Sequence, residues 1–312
     1  MPTTITSTVR AGGGGDYTTL AAWEAAEQRD LVAADEIEQA VVDDSGNVSD
    51  GATLTIAGWT TDNTRYLEVI AEAGSEHEGK LDTSKAHIQT DSSVGSTVSV
   101  SSGIRHRWTK FQLDMTGSIS GSRWNSIGGQ NVVFDRCILH ISSGSGAEAN
   151  ARFGEGSLNV VKSCMVIRSG GSGSNIQCIS NPSSSRVYVS NCTCKGGTNC
   201  FTATLSGRIT SENNYLRASS TIYNDLARIT IGSNDATSNS EASDSNLRNV
   251  PYSTETFLDT TSGAQDLHLN IKAGNKLINN GEDLTNDGGA GSVRNVTVDI
   301  DSAPRPFGST SG

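Results

Sequence analysis

The chain has 312 residues, of which 34% are hydrophobic and 5% aromatic, with 34 glycines and 5 prolines. One large spherical core needs more apolar residues than that, whereas a thin core wound by many short turns does not. A formal net charge of −11 and a pI of about 4.9 disfavour nucleic acid as a partner, since that role calls for a basic face. No apolar run reaches the roughly 18 residues that span a bilayer. The opening MPTTITSTVRAGGGG has no apolar signal segment, so neither membrane insertion nor a signal peptide is expected.

From the N-terminus, the glycines at 12–15 read as a flexible lead-in; no GK[ST] follows them, which excludes a phosphate loop. Residues 18–29 (TTLAAWEAAEQR) are the best helix of the chain: alanine-rich, opened by threonine, with Leu20, Trp23 and Ala26 on one face. The end of a strand stack exposes unpaired edges and needs a lid. Residues 1–36 are therefore assigned to an arm and a capping helix, with Trp23 resting on the first coil.

A repeat follows, over residues 37–265. Its clearest copy is Val132-Val133-Phe134-Asp135-Arg136-Cys137-Ile138-Leu139, with counterparts at 106–113, 159–166, 187–194, 209–216 and 229–236. Each reads inward, outward, inward, two polar residues, inward, outward, inward. Alternation with period two is a strand, and the two polar residues demand a corner. A strand, a corner and a strand recurring every 20–28 residues is one coil of an all-β, right-handed parallel β-helix, with coils about 4.8 Å apart. The first inward position after the corner forms a column of Phe111, Cys137, Cys164, Cys192, Asn214 and Asn234, in which thiols pack as small hydrophobes and asparagines bond along the rod. Cys178 and Cys200 are expected to repeat this on another wall. That reading makes the cysteines core residues rather than disulfide or zinc ligands, and no metal or cofactor is expected. Residues 266–312 form a closing segment that begins with the strand-like Asp266-Leu267-His268-Leu269.

The stretch Gly14-Gly15-Asp16-Tyr17-Thr18-Thr19-Leu20 through Trp23-Glu24 resembles the opening of β-helix proteins of tailed bacteriophages. So do Gly58-Trp59-Thr60-Thr61-Asp62-Asn63-Thr64-Arg65-Tyr66 and Lys80-Leu81-Asp82-Thr83-Ser84-Lys85. The likeness covers roughly residues 10–90. It implies a structural virion protein (a capsid decoration, head fibre or spike), assembled in the host cytoplasm as a homotrimer beside other virion proteins and contacting host-surface polysaccharide. A reducing cytoplasm also accounts for unpaired cysteines without a signal peptide.

Arg186, Arg208 and Arg228 recur just before an inward Val or Ile, so they point outward up one wall, where like charges repel unless anions sit between them. They are the candidate contact for an acidic glycan or for acidic side chains of a neighbouring subunit; Glu212 and Asp225 are the local alternatives. In Arg105-His106-Arg107-Trp108, alternation turns His106 and Trp108 inward as a packed pair. Trp59, Trp124 and Tyr188 are the other aromatics able to stack on a sugar if exposed. A polysaccharide lyase or glycoside hydrolase needs clustered carboxylates, yet no column of the repeat carries acids in successive coils. A polysaccharide lyase or glycoside hydrolase of β-helix type is therefore the second alternative to the virion role, and a bacterial adhesin the third.

Overall fold

The structure, a computed structural model, describes residues 1–91, 96–116, 124–126, 131–142, 149–154, 158–169, 172–180, 185–231, 235–242, 248–250, 257–259 and 266–269. It is an all-β parallel β-helix with a capping helix. Sheet 1 stacks nine parallel strands: Thr3–Val9, Glu36–Val42, Leu67–Ala71, His106–Thr109, Val133–Asp135, Asn159–Lys162, Arg186–Ser190, Arg208–Glu212 and Ile229–Ile231. Sheet 2 stacks His87–Thr90, Gln112–Met115, Ile138–Ile141, Met165–Arg168, Thr193–Lys195, Tyr215–Arg217 and Ala236–Thr237. Sheet 3 stacks Leu54–Ile56, Val98–Val100, Trp124–Ser126, Ala151–Phe153, Ser174–Ser180, Asn199–Leu205 and Thr221–Asn224. One continuous apolar core runs along the axis between the three walls.

The polar pair between sheets 1 and 2 makes the corner as expected, and the backbone shows how. Its second residue is left-handed in every described copy: Lys110, Arg136, Ser163, Asn191 and Asn213 have φ between 51° and 56°. That conformation costs non-glycine residues on the order of 1 kcal/mol each. The cost is offset by bonds from corner to corner, because Lys110 N donates to Asp135 O (2.9 Å), Arg136 N to Lys162 O (3.0 Å) and Ser163 N to Ser190 O (3.0 Å).

Directly after the corner runs a side-chain ladder. The amide of Cys137 donates to Cys164 Sγ (3.3 Å), that of Cys164 to Cys192 Sγ (3.4 Å), and that of Cys192 to Asn214 Oδ1 (2.8 Å). The thiols donate in turn to backbone carbonyls, Cys164 to Lys162 O at 3.1 Å and Cys192 to Ser190 O at 3.2 Å. All six cysteines are buried and free, and burial raises the thiols of Cys137 and Cys164 well above their usual range. The thiols of Cys164 and Cys192 thus serve as packing and as acceptors for buried N–H groups that the corner removes from the sheet. Cys164→Ala takes that acceptor away. We expect a loss of roughly 1–3 kcal/mol, the cost of an unsatisfied buried donor, read as a lower urea midpoint with faster amide exchange at Cys137.

The column continues differently from the sequence reading at its upper end. Asn234 lies outside the described residues. The register of Tyr215 with Ala236 instead puts Asp235 above Asn214, whose amide donates to Asp235 Oδ1 at 2.9 Å. The cause is one extra residue: two residues separate Ser211 from Asn214, but three separate its partner Ile231 from Asp235. Cys178 and Cys200 do not stack on one another either. Cys178 pairs with Ala203, and the register of Ile176 with Phe201 leaves Cys200 on a different rung.

The arm assigned to residues 1–36 is partly solenoid, since Thr3–Val9 pairs with Glu36–Val42 over its whole length. The helix spans Leu20–Glu27 and is capped by Thr19, whose side chain accepts from Ala22 N; a second, short helix spans Leu31–Ala34. Trp23 is fully buried against the first coil and donates from Nε1 to Glu38 (3.0 Å). Glu24 ties the helix to the next segment by accepting from Ala57 N (2.9 Å) and Trp59 Nε1 (3.2 Å). The glycine lead-in is an ordered turn, in which Gly13 N donates to Arg10 O and Gly12 N to Ser45 Oγ.

Several outward positions of sheet 2 are buried rather than solvated. Ile138, Met165, Ile167, Tyr215 and Ala236 are buried there in a second apolar cluster, with Ala242 and Val250 packed over them and Leu81 at its edge. Tyr215 fixes this cover by donating its hydroxyl to Val250 O at 3.0 Å. The strand Asp266–Leu269 pairs antiparallel with Phe257–Asp259; the rest of the closing segment lies outside the described residues.

Candidate functional site

The three arginines meet at one edge of sheet 1. Arg186 and Arg208 are register partners and both are exposed, and Ile209 N bonds to Arg228 O, which sets Arg228 in the next coil. Arg228 pairs with Asp225 and donates Nε to Leu205 O at 2.7 Å. Arg208 donates to Ala227 O at 3.0 Å. Among the described residues no carboxylate pairs with Arg186 or Arg208. The wall is therefore neutralised at one end, and at the other the exposed Arg186 and Arg208 stand at paired positions of adjacent strands.

The carboxylates found in successive coils carry their own cations. Asp43 and Glu72 follow the paired Val42 and Ala71 and share Arg10, at 3.5 and 3.1 Å. Asp135 bonds Arg136 (3.1 Å) and Lys162 (3.7 Å), while Lys110 goes to Glu76 at 3.0 Å. Among the described residues no three His, Cys, Asp or Glu side chains converge as a metal site. Of the aromatics, Trp59 is buried and Tyr188 half-buried; the Trp124 side chain lies outside the description. Trp108 Nε1 donates to His106 Nδ1 at 3.0 Å, both are buried, and burial pushes the His106 imidazole down to about 3.

Sequence reasoning missed a polar column on the outer face of sheet 2. Gln89, Asp114 and His140 are register partners in three successive coils. Gln89 Nε2 donates to Asp114 Oδ2 (2.7 Å), His140 Nδ1 lies 2.8 Å from Asp114 Oδ1, and His140 Nε2 lies 3.0 Å from Ser169 Oγ. The side chains of His140 and Asp114 are only 6% and 7% exposed, whereas Ser169 is in solvent. Burial pushes the Asp114 carboxyl up, but the hydrogen bonds from His140 and the Gln89 amide outweigh it, so the group sits below the usual range. A signal did exist: 89, 114 and 140 are separated by 25 and 26 residues, the coil period, so the outward columns of the second strand would have aligned them.

The fold and these walls define the chain as an all-β parallel β-helix with an N-terminal cap, and Ser, His, Asp and Arg side chains gathered on its outer faces. No family model, no curated protein and no solved structure matches it.

Proposed function

We propose that the chain is a structural, display-type protein of a bacteriophage particle, a homotrimer that turns its arginine edge toward an acidic partner. Acidic polysaccharide of the host surface is the first such partner, and carboxylates of a neighbouring virion subunit are the second. The observation that carries the binding part is the exposed Arg186–Arg208 rung, with no carboxylate beside it among the described residues. Like charges one strand apart repel, so an anion bound between them gains from both. Support for the virion role comes from the sequence resemblance over residues 10–90 and from six buried, free thiols, which suit assembly in a reducing cytoplasm.

The binding part is tested with immobilised polygalacturonate. Wild type is expected to bind in a salt-dependent manner. Arg186→Glu/Arg208→Glu should weaken binding ~10-fold or more, because two attractions worth up to about 1 kcal/mol each become repulsions. Equal binding by the variant would remove the arginine edge from the reading. Immunogold electron microscopy of particles tests the display role, for which unlabelled particles are the adverse result. Release of reducing ends or unsaturated products from the polymer would instead make the chain a polysaccharide-cleaving enzyme.

A further inference from the structure

We propose that Ser169 is the nucleophile of an acyl-transfer site for carboxylic esters on the outer wall of sheet 2, with His140 as its general base and Asp114 as the residue that positions His140. The inference is independent of the display role. Its basis is the direction of each bond in the chain Gln89–Asp114–His140–Ser169. An ionised carboxylate only accepts, so the nitrogen facing Asp114 Oδ1 at 2.8 Å, Nδ1, carries the imidazole proton. The lone pair is then left on Nε2, 3.0 Å from Ser169 Oγ and within the reach a general base requires. Gln89 donates to the second oxygen of Asp114 at 2.7 Å and holds that carboxylate in place. Each group has the partner that its role in a serine nucleophile needs.

Position agrees with chemistry. Asp114 and His140 are stacked by the sheet register and buried, so their orientation is fixed by the solenoid itself. Ser169 follows the strand Met165–Arg168, and its backbone amide is pinned to Ile141 O at 2.8 Å. The hydroxyl therefore stands in solvent over a rigid base. On the next rung the same column is filled by Ile167, buried and apolar. Cohesion alone is satisfied by such a residue, and a buried ionisable pair is often no more stable than an apolar one.

In the reaction the Ser169 oxygen attacks the ester carbonyl carbon as its proton passes to His140 Nε2. The tetrahedral intermediate collapses by breaking the bond to the alkoxide, which leaves with that proton as the alcohol. Water then gives one proton to Nε2 and its hydroxyl to the acyl carbon. The acid departs, and Ser169 Oγ recovers the proton. Oxyanion stabilisation usually adds the largest part of such rates; these four side chains supply the nucleophile, its base and the positioning of that base.

The test is labelling of the folded, full-length protein with an alkyl fluorophosphonate, whose phosphorus the serine oxygen attacks with loss of fluoride. Peptide mass spectrometry then compares Ser169 with Ser206, an exposed serine in the same sample. Ser169 is expected to react at least ~100-fold faster than Ser206, the lower end of what a positioned base contributes. Asp114→Asn and His140→Gln should each bring it close to the Ser206 rate, and Ser169→Ala should abolish both the adduct and any burst with p-nitrophenyl acetate. Equal rates at Ser169 and Ser206 in the wild type would overturn the proposal without any variant. So would unchanged labelling in Asp114→Asn with circular dichroism intact.

Discussion

Trp23→Ala is expected to lower the stability of the N-terminal coils by about 4 kcal/mol, the usual cost of emptying a tryptophan site. Two losses combine there. The indole is fully buried between helix and first coil, with its ring 6.1 Å from that of Trp59. Its Nε1 also serves Glu38, a carboxylate with no solvent exposure that is otherwise held by Ser7 Oγ (3.2 Å) and Arg29 (2.6 Å). Burial raises the Glu38 carboxyl and the bonds from Trp23 and Arg29 oppose that, so removing one donor leaves the group short of what keeps it charged. Trp23→Phe separates the terms: it keeps most of the bulk and loses the donor, and should cost about 1.5–3 kcal/mol, the worth of a hydrogen bond to a charged group. Because a solenoid unfolds by neighbouring repeats, the readout is hydrogen exchange by segment beside a urea titration. Residues 3–9 and 36–42 should exchange faster in both variants, and 186–190 should hardly change. A loss below 1 kcal/mol for Trp23→Ala would mean that the helix lies on the solenoid without stabilising it.

At the other end of the ladder, Asp235→Asn is expected to make the upper coils more stable than wild type at neutral pH by up to about 3 kcal/mol. Asp235 has no solvent exposure. It accepts from Ser211 Oγ (2.5 Å), Tyr223 OH (3.1 Å) and the Asn214 amide (2.9 Å), with no cation against it among these partners. Burial raises its carboxyl from 3.8 to about 6, and the bonds from Ser211, Asn214 and Tyr223 offset only part of that. A folded-state value above the unfolded one means that the native state binds the proton more tightly. This contribution is complete below about 4 and is lost as pH rises through about 6, for a total of about 3 kcal/mol. Carboxylates with lowered values, Asp16, Asp82 and Asp114 among them, act with the opposite sign. The quantity to measure is therefore the difference between wild type and Asp235→Asn across pH 4 to 8. It should grow as pH rises to neutral and then level off. A difference independent of pH would show that Asp235 stays ionised in the folded chain throughout.

The sequence by itself determined the repeat, the corner and the inward columns, because a solenoid writes each coil into local order: a period of two for strands, two polar residues for a bend, one apolar column per wall. Cys137, Cys164 and Cys192 were legible for that reason, and Trp23 was legible as a lid because an amphipathic helix next to an open strand stack has one place to go. The tertiary structure alone decided what lies across the outer walls. Nothing local in Ile138 or Met165 announces that Ala242 and Val250 fold back over them. Nothing beside Asp235 announces the register that sets it above Asn214. Ser169, His140 and Asp114 are ordinary residues along the chain; they become a hydrogen-bonded set only because parallel coils in register place side chains 25 to 29 residues apart within bonding distance. Short-range order sets the coil, and the stacking of coils creates the chemistry between them.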